Sequence, residues 1–229
     1  MTALGNDRAA GLRFRLLESD DAEEVYDTHK AIVQRLQDST YMYERELSFF
    51  ELLLNTTGYI IGAFSDSSLV AYMAFTRPGV SNANHARYLR GLGIKQEDVS
   101  EGSGSGVSLG FRNQGVFREL LHMRSRVLDK IGCLSTAVVA RQNLPALKAT
   151  LDEQFMLAGI LHDQDGPNYL LVRPPDGKRK FKNPPIEISS IQNEKRNISL
   201  LEAESIVGVK GTSQNFQPLK FYRWNWDQS

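Results

Sequence analysis

The residues best equipped for chemistry lie in one stretch, Gly102 to Leu121, GSGSGVSLGFRNQGVFRELL. Between Arg112 and Phe117 it offers a guanidinium (Arg112), two side-chain amides (Asn113 and Gln114) and a glycine (Gly115). It then runs straight into the apolar-periodic segment Val116, Leu120, Leu121, Val127, Leu128. A turn that opens a helix leaves backbone N–H groups unpaired, and these donors together with the helix dipole make an anion site. Gly115 lets a ligand approach the backbone, Asn113 and Gln114 can donate, and Arg112 adds positive charge. The chemistry expected here is the holding of a phosphate.

Two other phosphate motifs fail. A Walker turn ends in Gly-Lys-Ser/Thr, and this one does not. The glycines of GSGSGV give no G-x-G-x-x-G that enters a helix. They stand instead in the strand before the turn. Spaced two apart, Gly102, Gly104 and Gly106 would bare one face of that strand and leave Ser103, Ser105 and Val107 on the other. Each glycine weakens a strand by roughly 0.5–1 kcal/mol relative to alanine. The bared face could admit a bulky group, and the serines could bind polar groups or a water. A bulge or a flexible run is the alternative.

Candidates for proton transfer are few. Glu101 is the nearest carboxylate to the glycines and could serve as a base, although a solvated loop glutamate is the plainer reading. Ser103 and Ser105 are polar neighbours. Tyr72 and Tyr88 could each donate a proton, with aromatic packing as the default for both. His29 and His85 have no visible partner, and His122 lies on the helix after Gly115, packed or exposed. Cys133 follows a helix-ending glycine without a His/Asp partner, and reads as a buried thiol.

Composition narrows the classes. With 27 basic and 27 acidic side chains the formal charge is zero, so no nucleic-acid or anionic-membrane partner is expected and any anion site must be local. One cysteine excludes an intrachain disulfide and a multi-cysteine zinc site, and no metal is expected. The N-terminal residues lack a signal-peptide apolar run, and no stretch approaches the ~20 apolar residues that span a bilayer. A cytoplasmic protein is expected.

The elements that must position these residues follow from periodicity. Leu12 to Leu17 reads as a strand, and Ser19 or Asp20 caps a helix through Val25, Ile32, Val33 and Leu36. A second helical stretch runs from Ser48 to about Asn55. Tyr59 to Phe64 and Leu69 to Phe75 flank SDSS as a β-hairpin. The long loop from Thr76 to Gly102, partly helical, is of a size that usually serves a site. The helix after Gly115 stops at Gly132, LSTAVVA is a buried strand, NLPALKATLDEQF is a helix capped by Asn143 with Pro145 in its first turn, and YLLVRP is a closing strand. The order is that of a mixed α/β domain. Residues 1–173 form the expected domain and 174–185, PPDGKRKFKNPP, a Pro/Lys-rich linker. Residues 186–229 form an extension with a possible strand at Ile186 to Ile191, a further element in NISLLEAESIVGV and the aromatic end FYRWNW. It is expected to dock on the domain or on a partner subunit.

Arg112-Asn113-Gln114-Gly115-Val116-Phe117 resembles the Arg/Gln-x-x-Gly-x-Gly/Ala turn of the Gcn5-related N-acetyltransferases, the GNAT superfamily. The helix, strand and Asn-x-x-Ala helix that follow agree with it, from about Arg13 to Arg173. The resemblance implies a GNAT-type mixed, mostly antiparallel central sheet flanked by helices and splayed between its fourth and fifth strands. It implies acetyl-CoA or another acyl-CoA as co-substrate. The diphosphate would lie on Arg112, Asn113, Gln114, Gly115, Val116 and Phe117, with the pantetheine arm on the backbone of Val107, Ser108 and Leu109 and near Asn143. The implied function is acyl-CoA-dependent N-acyltransfer, acetyl-CoA to a primary amine by direct attack, with a small-molecule or peptide amine as acceptor and a homodimer possible. A catalytically degenerate acyl-CoA-binding or protein-interaction subunit is the alternative, and a carrier-protein thioester donor a third reading.

The chain departs from the family pattern in four places. Phe117 stands where Gly or Ala is usual, Thr150 where many members have a tyrosine acid, and Gln154 where a glycine precedes Phe155. The fourth strand, read as Gly102 to Val107, holds no carboxylate, so general acid and base are unassigned.

Overall fold

The computed structural model describes residues 11–36, 42–81, 83–89, 92–163, 166–175, 187–190, 206–210 and 218–223. The first strand, β1 (Arg13–Leu16), leads into a capping turn where the Asp21 carboxylate accepts from the Glu18 amide at 2.7 Å and holds Arg15. Helix α1 (Ala22–Val33) follows, placing Val25, His29 and Ile32 on its buried side. Helix α2 (Leu47–Leu52) ends in a wide turn, and β2 (Gly58–Ser65) and β3 (Ser68–Thr76) form the expected hairpin. A short helix, α3 (His85–Tyr88), sits in the long loop ahead of β4 (Val99–Val107). Then come α4 (Val116–Ile131), β5 (Leu134–Ala140), α5 (Leu144–Asp152), β6 (Met156–Asp163) and β7 (Gly166–Arg173).

These strands form a sheet in the order β1-β2-β3-β4-β5-β7-β6. All pair antiparallel except β4 with β5. Helices α4 and α5 cover one face, where Leu120, Leu121, Met123, Leu147 and Phe155 pack on Ile61, Met73 and Phe75. Helices α1 and α2 cover the other face near β2 and β3, with Ile32, Phe50, Ile60 and Tyr72 in contact. Ala86, Leu89, Leu92 and Ile94 cover the same face further along, against Leu134, Met156 and Leu170.

Three further strands, β8 (Glu187–Ser190), β9 (Ile206–Lys210) and β10 (Pro218–Arg223), continue the sheet beyond β6 through the pair Leu157↔Gly208. Most of the expected linker, the NISLLEAES part of NISLLEAESIVGV, Ile186, Ile191 and both tryptophans lie outside the described residues.

The sequence reading differs from the structure at three points. Strand β6 has no counterpart among the elements expected from periodicity, because Gly159 interrupts its apolar run; the register slips at the same place, between Leu157 and Gly159. Strand β4 begins at Val99, so Glu101 lies within it and the strand does hold a carboxylate. The three glycines do not share a face. Phe75 pairs with Gly102 and Ala74 with Gly104, which leaves Ser103 as the extra residue of a bulge. Gly102 therefore looks toward α4, while Gly104, opposite Ala74, and Gly106, opposite Tyr72, look toward α1. The bulge brings Gly104 to φ 146°, a conformation suited to glycine.

Candidate functional site

The site begins where two strands part. β4 and β5 pair in parallel at Val99↔Leu134, Ser100↔Ser135 and Glu101↔Thr136, and the pairing stops there although both strands run on. The notch so formed has Gly102 to Val107 on one wall and Ala137 to Ala140 on the other. On its far edge β4 stays bonded to β3, where the Ser108 amide donates to the Val70 carbonyl at 2.9 Å. Backbone groups of a strand alternate between its two edges, so Ser105 and Val107 turn their N–H and C=O into the notch. The Ser108 amide is thereby committed to β3, and exposed Leu109 begins the turn that closes the end of the notch.

That turn is built to present amides. Arg112 donates through Nε to the Val107 carbonyl at 3.0 Å, and Gln114 through Nε2 to the Gly110 carbonyl at 2.8 Å. Asn113 and Gly115 adopt φ 62° and 81°, left-handed conformations that asparagine and glycine accept most readily. Gly115 is the N-cap of α4 with no side chain bonded to the cap, and a Cβ built on it would meet nothing within 4 Å. The first amides of this sixteen-residue helix therefore carry no side-chain cap, and Arg112 stands three residues ahead of its N-cap. Val116 is buried and the Phe117 ring packs on the α4 core, so its bulk points away from the amides.

Asn143 stands past the end of β5, at the head of α5. Its Oδ1 accepts from the Ala146 amide at 3.2 Å, which leaves the side-chain N–H groups for a ligand. Thr150 is buried and back-bonded to the Ala146 carbonyl at 2.8 Å, so its hydroxyl braces α5. Gln154 has φ 67°, which explains why glycine suits this position in the resembled pattern.

Glu101 is not a solvated loop residue. It is fully buried, and its Oε1 accepts from the His85 amide at 2.8 Å, the Ser81 hydroxyl at 3.1 Å and the Gln96 amide group at 3.4 Å. Oε2 accepts from the Ala83 amide at 2.8 Å. A carboxylate so surrounded anchors the loop and α3 to β4, and protonating it would break those bonds. His85, buried beside it with Nδ1 at 2.8 Å from the Thr136 hydroxyl, has its pKa lowered by burial against the opposing pull of Glu101.

Tyr72 is also committed. His29 accepts the Arg45 amide at Nε2, 3.0 Å, so in the neutral ring Nδ1 carries the proton and donates to the Tyr72 hydroxyl at 2.7 Å. Burial lowers the His29 pKa, with nearby Arg45 adding to the effect, and burial raises that of Tyr72. Gly106 permits this packing: a Cβ there would lie 2.8 Å from Ile32 Cδ1 and 3.2 Å from the Tyr72 ring. Tyr88 packs against the cluster of Leu89, Met156 and Leu170, with Arg87 stacked on its ring. Ser103 donates to the Glu101 carbonyl at 3.4 Å, and Ser105 is half-buried on the α4 face of the notch wall. Cys133 is buried, its thiol pushed up to about 11 by burial.

The structure therefore gathers Ser105, Val107, Leu109, Arg112, Asn113, Gln114, Gly115 and Asn143 around one notch. It places Tyr72, Tyr88 and Glu101 in packing and anchoring roles. The histidine roles were invisible in the sequence because His29 meets Tyr72, and His85 meets Thr136, only across the fold. Among the described residues no cluster of three or more His, Cys, Asp or Glu side chains is placed to hold a metal ion, and no helix is long and apolar enough to cross a membrane.

No family model and no curated protein matches the sequence. Solved structures do match the fold. One is a GNAT-family acetyltransferase from Streptococcus pneumoniae, with TM-score 0.55 and 13% identity over 72% of this chain and 99% of that one. Another is the ribosomal-protein-S18-alanine N-acetyltransferase from Escherichia coli, with TM-score 0.51 and 17% identity over 70% and 90%. A third is an aminoglycoside acetyltransferase in complex with coenzyme A and kanamycin, with TM-score 0.53 and 14% identity over 71% and 94%.

Proposed function

We propose that this chain, which has the fold of the GNAT acetyltransferases, transfers an acyl group, acetyl in the simplest case, from acyl-CoA to a primary amine. The observation that carries the reading is the notch closed by the amide-presenting turn: a parallel pair that parts after Glu101 and Thr136, ending at an uncapped helix N-terminus beside Arg112. The diphosphate of coenzyme A would take the amides of Gly115, Val116 and Phe117 and the Nη groups of Arg112, with Asn113 and Gln114 around the turn. The pantetheine arm would pair with the notch-facing backbone of Ser105 and Val107, pass Ser108 and Leu109, and meet the Asn143 amide on the other wall.

Bound coenzyme A supplies an activated thioester. The amine nitrogen attacks the thioester carbonyl, the C–N bond forms, the C–S bond breaks, and a proton passes from nitrogen to the departing sulfur by way of solvent. Backbone N–H on the β4 wall is the device available for the developing oxyanion, and holding both reactants in the notch contributes proximity. Glu101, Tyr72 and Tyr88 are each held by neighbours, so the amine must arrive already neutral. The acceptor is a small-molecule or peptide amine, a range that the aminoglycoside and ribosomal-protein enzymes of the same fold support.

That shortage of a free acid or base favours a second reading, an acyl-CoA-binding subunit without turnover. Coenzyme A release from acetyl-CoA, measured over a panel of amines with wild type and Arg112→Ala, separates the two. The enzyme reading expects turnover with at least one amine and a KM for acetyl-CoA raised about tenfold in the variant, one charge-assisted contact. Tight acetyl-CoA binding without turnover favours the subunit. No binding of coenzyme A overturns both.

A further inference from the structure

A histidine that the proposed chemistry does not use stands in a one-way chain of hydrogen bonds. His29, on α1, is fully buried. The Arg45 amide donates to its Nε2 at 3.0 Å, its Nδ1–H donates to the Tyr72 hydroxyl at 2.7 Å, and that hydroxyl donates to the Met42 sulfur at 3.8 Å. Only the neutral ring with its proton on Nδ1 completes this chain. Both ends of it, Arg45 and Met42, lie in residues 42–46, the segment that leads into α2 and belongs to no helix or strand. The Met42 methyl rests over the notch wall, 3.2 Å from where a Cβ of Gly106 would lie.

We propose that His29 is a positioning residue, a pH-sensitive latch that in its neutral form holds residues 42–46 over the α1 side of β4. A ring that takes a second proton carries N–H on both nitrogens. Its Nε2–H would then face the Arg45 N–H, donor against donor, and the tie is lost. The neighbours do nothing to offset this. Arg45 is a like charge, with its guanidinium set over the Tyr43 and Phe49 rings, and Tyr72 is the titratable group that β3 presents. Helix α2 contributes the Phe50 ring at 5.3 Å, and β4 contributes Gly106, which has no side chain. On α1 itself Glu24 is bonded to the Leu69 amide at 2.9 Å and Lys30 lies 4.9 Å over the Tyr26 ring. No carboxylate among the described residues is placed to stabilise a charged His29 ring.

Opening the latch lets water reach the ring, whose pKa then returns to about 6.5, whereas burial and Arg45 hold it lower in the closed form. The open form therefore binds more protons below about pH 6.5, and the latch loosens as pH falls from there to the closed-form pKa. At pH 5, about 1.5 units below, the gain in opening is at most about thirtyfold. Amide hydrogen exchange at Arg45, corrected for the intrinsic pH dependence of exchange, reads this opening. Wild type should lose about 5–30-fold in Arg45 protection between pH 7.5 and pH 5. His29→Gln, which accepts from Arg45 and donates to Tyr72 without titrating, should hold its protection within about twofold. If His29→Gln does not fold, Tyr72→Phe removes the acceptor that fixes the tautomer, and Arg45 should already be about fivefold less protected at pH 7.5. Constant protection in wild type, an equal loss in folded His29→Gln, or unchanged protection in Tyr72→Phe overturns the latch. No ligand enters these measurements, so their outcome is independent of the acyl-CoA reading.

Discussion

Replacing Gly115 by asparagine and, separately, by aspartate isolates the electrostatics of the proposed diphosphate cradle. Position 115 has φ 81°, a Cβ there would meet nothing within 4 Å, and the two side chains have nearly the same shape. The cost of leaving glycine is the left-handed backbone, about 1–2 kcal/mol for most residues and less for Asn and Asp. It is shared by both variants and cancels in their comparison. What differs is one negative charge beside the amides of Val116 and Phe117. At a separation of about 6 Å, two unit charges repel by about 0.7 kcal/mol in water and about 3 kcal/mol at an effective dielectric constant of 20. The carboxylate is exposed, so about 1–2 kcal/mol is the reasonable range. Coenzyme A should therefore bind Gly115→Asp about 5–30-fold more weakly than Gly115→Asn, since 1.4 kcal/mol is tenfold. Titration calorimetry at low salt measures this, and the gap should narrow at 0.5 M salt as screening shortens the reach of the charge. Equal affinities for the two variants at low salt would refute the placement of the diphosphate at the head of α4.

Two further outcomes follow from the buried polar groups. Glu101→Gln presents an amide N–H to donors that now meet an oxygen, so it should lower stability by about 1–3 kcal/mol, read as a shift in denaturant midpoint. Coenzyme A release per folded molecule should fall less than threefold, and a hundredfold loss in a variant of unchanged stability would restore Glu101 as the general base. His29 is held neutral by burial, below its ordinary value. The unfolded chain then binds more protons between the folded pKa and about 6.5, so stability is full above that range and declines as pH falls through it. Thermal melts from pH 7.5 to pH 5 should show this decline, and His29→Gln, able to accept from Arg45 and donate to Tyr72, should flatten it; an identical slope in the variant would count against His29 as a source.

The sequence alone determined what depends on neighbours a few residues away. The head of α4 was legible because a left-handed glycine, a run of donors and an amphipathic helix are all encoded between Arg112 and Leu128. The Asn143 cap and the β2–β3 hairpin were legible for the same short-range reason. Tertiary structure alone decided the chemistry of the notch. Whether Gly102, Gly104 and Gly106 share a face depends on how β4 registers against β3, and one extra residue at Ser103 divides them. Glu101 read as a loop carboxylate because the groups that bury it, Ser81, Ala83 and His85, come from the far side of a loop. Arg124 is one arginine among several on α4, and only the meeting of that helix with β4 and β5 sets it beneath Gly102. Local geometry needs no more than the chain's own short-range sterics, whereas register, burial and the pairing of charges are settled when distant segments exclude water together.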